Sequence, residues 1–141
     1  MRKRIASVSI ILTLLVSGAA LAAALATGTK VTLHSTNRGK VLATSTGRTL
    51  YLDTADGRNK SRCTSANGCA SLWPPLLTKG KPVAGMGVKQ SLLGTLKRGA
   101  KLQVSYNGHP LYTWTGDSKA GQATGEGVEG FFVVKASGGK G

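Results

Sequence analysis

The chain is poor in acidic residues, cysteine, histidine and aromatic side chains, and beyond its first stretch it has no long apolar run. Five Asp and Glu face nineteen Lys and Arg among 141 residues, a formal charge of +14. So few carboxylates leave little for a calcium site. The stretch from Asp53 to Ser61 lacks the alternating oxygen ligands and closing Glu of a calcium loop. Cys63 and Cys69 are the only cysteines and find no two further ligands at zinc spacing. His34 and His109 are the only histidines, and His109 falls in an expected hairpin turn, so little is available for a nucleophilic triad. Neither histidine, nor Met86, has the spacing of a metal ligand set. The expectation is no metal, no cofactor and no catalysis.

What is present begins with an export signal. Arg2, Lys3 and Arg4 form a positive start, an apolar run follows, and small-residue Ala-x-Ala sites end it, for example Ala24-Leu25-Ala26. This is the form of a secretory signal peptide over residues 1–26. Its length also suits an uncleaved membrane anchor. Removal of the segment takes three basic residues with it and leaves +11 on roughly 115 residues, the size of one domain. The remaining basic residues are scattered, with no run of four and no interleaved aromatics. That excludes a specific nucleic-acid reader and points to attraction toward an anionic wall polymer or membrane surface. In an oxidising compartment, Cys63 and Cys69, six apart around Asn67-Gly68, read as a local disulfide.

After the signal, strand patterns dominate. Short alternating runs recur at 30–35, 40–44, 49–53, 101–106, 110–114 and 131–135, bounded by Gly, Asn, Asp and Ser. In the third run Leu50 and Leu52 share one face and Tyr51 takes the other; in the fourth, Leu102, Val104 and Tyr106 share a face. Residues 91–96 are ambiguous. A helical turn beginning near Cys69 must stop at Pro74 and Pro75. Asn107-Gly108 is the strongest hairpin signal, since a type I′ turn needs positive φ at both central positions. Pro110 then belongs at an edge or beside that turn.

The pattern Gly-x-x-Leu-Tyr-x-x-x-x-Asp occurs twice, as Gly47-Arg-Thr-Leu50-Tyr51 to Asp56 and as Gly108-His-Pro-Leu111-Tyr112 to Asp117. It sits within a longer recurrence, about 31–77 and about 91–135, joined by a Gly/Lys/Pro linker at 78–90 and followed by a disordered tail at 136–141. Neither unit can bury a face alone. The predicted fold is all-β: a small antiparallel sandwich or barrel-like domain over residues 27–135, built from two tandem hairpin-containing repeats.

Tyr112-x-Trp114-x-x-Asp117, together with the Tyr51…Asp56, Cys63…Cys69 and Trp73-Pro74-Pro75 order, resembles a bacterial secreted-repeat lipoprotein family marked by a Tyr-x-(Phe/Trp/Tyr)-x-x-Asp motif. The resemblance spans the chain after the signal. It implies an exported protein of no established biochemical role. Two departures stand out. No cysteine precedes Cys63, so the lipid-anchoring cysteine common in the family is missing. Asp53 also occupies the aromatic position of the first motif, which makes the second copy the better candidate for a site.

The motif has two readings. Tyr112 and Trp114, two apart on a strand, form a platform for a sugar ring, planar group or cation, with Tyr51 as the first-copy counterpart. Alternatively the tyrosines and Trp73 pack, while Asp56 and Asp117 close turns. The sequence favours an exported, non-catalytic, basic envelope module. The alternatives are a redox or planar-cofactor carrier, and an enzyme acting on carbohydrate through Asp56 and Asp117.

Overall fold

A computed structural model describes residues 28–141. The segment expected to be a signal peptide, residues 1–26, lies outside these residues. Nine short strands among the described residues carry the fold: β1 (Lys30–Thr36), β2 (Gly39–Thr44), β3 (Tyr51–Asp53), β4 (Leu77–Thr78), β5 (Val83–Ala84), β6 (Leu93–Arg98), β7 (Lys101–Tyr106), β8 (His109–Pro110) and β9 (Phe131–Val133). The one α-helix among the described residues is the single turn Cys69–Leu72, and Pro74 and Pro75 follow at once. The all-β expectation holds. The strands form several small sheets, ordered β2-β1-β5, β3-β9 and β4-β7-β6 with β8 on β7, and none of them closes into a barrel.

Two antiparallel hairpins, β1–β2 and β6–β7, frame a central row. In that row β3 pairs β9, Tyr51 pairs Tyr112, and Tyr112 pairs Pro75. The ambiguous stretch at 91–96 resolves into a 3₁₀ turn at Gln90–Leu92 and the start of β6. The two halves make matching backbone bonds. Leu50 N donates to Leu42 O at 2.9 Å and Leu42 N to Val134 O at 2.8 Å. In the other half Leu111 N donates to Val104 O at 3.0 Å and Val104 N to Leu76 O at 2.8 Å.

Alternation along the central strands divides the interior in two. Leu42, Leu50, Leu52, Val104, Tyr106, Leu111 and Val134 join one apolar cluster. Val41, Tyr51, Trp73, Tyr112, Phe131 and Val133 join the other. Neighbours in sequence, such as Leu50 and Tyr51 or Leu111 and Tyr112, therefore bury on opposite faces of the same strand. Of the face predicted on β7, Val104 and Tyr106 are buried and Leu102 is half-buried.

Asn107 and Gly108 adopt φ of 50° and 80°, the positive pair the turn requires. Pro110 ends β8, opposite Ser105. The 78–90 linker and the tail expected to be disordered are both built into the domain. In the 78–90 stretch, β5 lies parallel against β1, Val88 is buried, and the Gln90 side chain bonds both Ala84 N and Pro82 O. The tail expected to be disordered turns back at 136–141. There Tyr106 donates its hydroxyl to Ala136 O at 2.7 Å and Gly141 N donates to Val133 O at 2.8 Å. Composition marked the first as a linker and the second as disordered, but long-range bonds satisfy polar groups of both and hold them.

The first-copy turn depends on Gly47, whose φ is 84°. A Cβ there would meet the Ala120 side chain at 2.9 Å. Gly47→Ala is expected to destabilise the domain by about 1–2 kcal/mol through left-handed strain. It should lower the urea midpoint more than Gly68→Ala, where φ is 77° and the space is open.

Candidate functional site

The two motif copies meet at their tyrosines. Tyr51 N donates to Tyr112 O at 2.9 Å and Tyr112 N donates to Tyr51 O at 3.0 Å, a reciprocal antiparallel pair. Each phenol then reaches the other copy's aspartate. Tyr51 donates to Asp117 Oδ2 at 2.7 Å, and Tyr112 donates to Asp56 Oδ2 at 2.6 Å. The second oxygen of each carboxylate closes its own loop. Asp117 Oδ1 accepts from Thr124 N at 2.9 Å and Thr124 Oγ1 at 2.7 Å. Asp56 Oδ1 accepts from Arg62 N at 2.7 Å. Both aspartates sit in turns, as their contexts indicate, with Asp56 N bonded to Asp53 O and Asp117 N to Trp114 O.

The environments differ. Tyr51, Tyr112 and Asp117 are buried, whereas Asp56 is half-buried. Burial, reinforced by the carboxylate partner, pushes both phenols well above the ordinary tyrosine range. Burial also raises the Asp56 carboxyl, against the opposing pull of its bonds from Arg62 N and Tyr112. Ser61 extends this side: its hydroxyl lies 2.6 Å from the Tyr112 hydroxyl and accepts from Arg98 Nη1 at 2.9 Å.

Above the tyrosines stands an aromatic stack. Trp73 lies flat on Phe131, with centroids 3.8 Å apart and planes 4° apart, and Trp114 covers its other face at 4.2 Å and 29°. Tyr51 meets Trp73 edge-on at 5.3 Å, and Tyr112 meets Phe131 edge-on at 5.4 Å. The rings therefore repeat the relation between the copies: one tyrosine beneath each of two stacked rings. Trp73 Nε1 is satisfied by Glu129 Oε2 at 3.1 Å.

The proposed Tyr112/Trp114 platform is split: Tyr112 is fully buried, while Trp114 is half-buried with one face on Trp73. Asp53, at the aromatic position of the first motif, is 6 % exposed, and its carboxylate accepts from Ala55 N at 2.9 Å. Cys63 and Cys69 form the expected disulfide. His34 is exposed and His109 half-buried. Among the described residues no group of three or more His, Cys, Asp and Glu gathers as a metal site. Sequence reasoning missed Phe131, Ser61, Arg98 and Glu129. Only Phe131 had a visible signal: the loose correspondence of the 72–77 and 130–135 stretches.

All five carboxylates of the chain accept hydrogen bonds from neutral donors inside it. Asp53, Asp56, Asp117 and Glu129 do so as described, and Glu126 accepts from Val133 N at 2.7 Å. Arg48, Arg98 and Lys135 are half-buried, and every other basic residue from Lys30 onward is exposed.

Tyr51→Phe strips a donor from the buried Asp117 and an acceptor from Gly125 N, which sits 3.2 Å from the Tyr51 hydroxyl. It is expected to cost about 2–3 kcal/mol. Tyr112→Phe should cost less, because water reaches the half-buried Asp56. Each folded phenol keeps its proton beyond the pH at which the unfolded phenol releases it. Its stabilisation is therefore complete below the ordinary tyrosine value of about 10 and falls as pH rises above it, by about 1.4 kcal/mol per pH unit for each tyrosine. Thermal unfolding followed from about pH 9 to about pH 11 should show this alkaline loss, and each Phe variant should remove part of it.

Residues 95–134 fit a family model described as a secreted repeat of unknown function, a span that contains Tyr112, Trp114, Asp117 and Phe131. No curated protein and no solved structure matches the chain.

Proposed function

We propose that the protein is an exported, non-catalytic module held at the cell envelope by attraction to anionic polymers. The observation that carries this reading is the separation of charge. Every carboxylate is used as an internal acceptor, while nearly all Lys and Arg side chains from Lys30 onward stand at the surface. The surface field is therefore positive and little compensated, and such a field concentrates a protein on a polyanion. The matched family is described as secreted, and no helix among the described residues is long and apolar enough to cross a membrane. Asp56 and Asp117 hold the two motif copies together through tyrosine, a structural use that supports a non-catalytic role. The aromatic rings of the motif are largely spent on one another, which supports packing over an open ligand platform.

Retention of the exported protein on washed envelopes of the producing cells should fall steeply as salt rises, because exposed charges are screened. Trp114→Ala, once shown to be folded, should elute with the wild type. Retention that is insensitive to salt would overturn the electrostatic reading. A wild type that stays bound at high salt while Trp114→Ala is lost would assign a specific site to the second motif instead.

A further inference from the structure

The cations are not spread evenly. The β6–β7 turn carries Lys97, Arg98 and Lys101 around Gly99-Ala100, and Lys60 faces them from the loop leading to the disulfide. Together they line a cleft of about 630 Å³ floored by Pro75, Leu77 and Leu96. A second cleft of about 730 Å³ shares Leu77 and Lys101 with the first and adds Lys79. The two share only Leu77 and Lys101, no carboxylate lines either, and the first, which holds Arg98, is the basic track.

Arg98 is the fixed point of this track. Its guanidinium donates to Ser61 Oγ at 2.9 Å, Gln103 Oε1 at 3.1 Å and Cys63 O at 2.5 Å. These acceptors are a hydroxyl, an amide and a carbonyl, so they orient the cation without neutralising it. The nearest acid in the chain of bonds is Asp56, two hydroxyls away through Ser61 and Tyr112, and the Arg98 charge acts on its carboxyl across that gap. Three of the five guanidinium donors are used, and two remain for a ligand. The disulfide holds the loop that supplies Cys63 O, so the anchor of Arg98 is covalently braced.

We propose, resting on the envelope reading above, that this track is the binding site for a linear polyol phosphodiester. Lysine and arginine along both walls meet successive phosphates, and the Pro75, Leu77 and Leu96 floor meets the short carbon spacers between them. No aromatic side chain lines either cleft, so nucleic-acid bases have nothing to stack on. A concave track also suits a strand better than the flat surface of a membrane.

The test is a binding titration of the exported protein against synthetic oligo(glycerol phosphate) over a salt series. Two triple variants are compared, with equal loss of charge. One is Lys60→Glu, Lys97→Glu and Lys101→Glu, in the cleft. The other is Arg38→Glu, Lys40→Glu and Lys119→Glu, on exposed positions outside it. Circular dichroism confirms the fold of both. The cleft variant should bind about tenfold more weakly and lower the slope of log affinity against log salt by about 2, while the control changes by less than about twofold. Equal weakening of both variants would overturn the track and leave the charge reading standing. Absence of wild-type binding at low salt would overturn both. Equal or tighter binding to a single-stranded oligonucleotide, or to anionic phospholipid vesicles, would overturn the polyol phosphodiester as ligand.

Discussion

The reciprocal tyrosine-to-aspartate exchange is the contact on which the rest of the molecule depends. A buried carboxylate such as Asp117 persists only where donors surround it, because loss of hydration is otherwise too costly. The donors that reach each carboxylate come from two directions, the loop it closes and the phenol of the opposite motif. The backbone pair between Tyr51 and Tyr112 sets the register that makes both crossings possible at once. Slippage by one residue would turn both phenols to the opposite face and leave both carboxylates short of a partner. The packing of Trp73 on Phe131, with one tyrosine edge beneath each ring, follows from the same register.

That interior use of acid shapes the exterior. A chain with five carboxylates that commits all of them to internal acceptors has none left to scatter among its surface cations. The positive surface and the polar interior are thus two sides of one allocation. The β6–β7 turn concentrates the result, because a tight two-residue connection places Arg98 opposite Lys101. Long flexible lysines around an arginine fixed by neutral acceptors combine reach with a defined orientation.

Much of the scaffold was legible in the residues. Alternating runs located β1, β2, β3, β7 and β9 but left β6 ambiguous and overstated a strand at 110–114; Asn107-Gly108 located the tight turn, and Pro74-Pro75 ended the helical turn. Periodicity tells which face a side chain takes, and it placed Leu50 and Leu52 opposite Tyr51. It does not tell which side chain lies across the interior. The bond from Tyr51 to Asp117 joins residues 66 apart, and nothing local encodes it. The recurrence of the motif showed that Tyr and Asp matter in each copy, and left open that the partners are exchanged. The 78–90 and 136–141 stretches misled for a related reason. Gly and Lys signal freedom in isolation, but β1, Tyr106 and Val133 supply distant partners that remove it. Arg98 looked like one of many scattered cations because its three acceptors lie five, 35 and 37 residues away.

The exchange of partners between the motif copies has the logic of a symmetric dimer written into one polypeptide. In an isologous interface each subunit offers the same donor and the same acceptor, and each satisfies the other. Here the two subunits are segments of a single chain, so their effective concentration is fixed by the connection and does not depend on dilution. A chain with one such motif would lack an aspartate for its tyrosine and a tyrosine for its aspartate. It would have to find a second molecule of itself to complete either bond. Carrying two copies removes that dependence and lets a small domain complete both bonds within one chain.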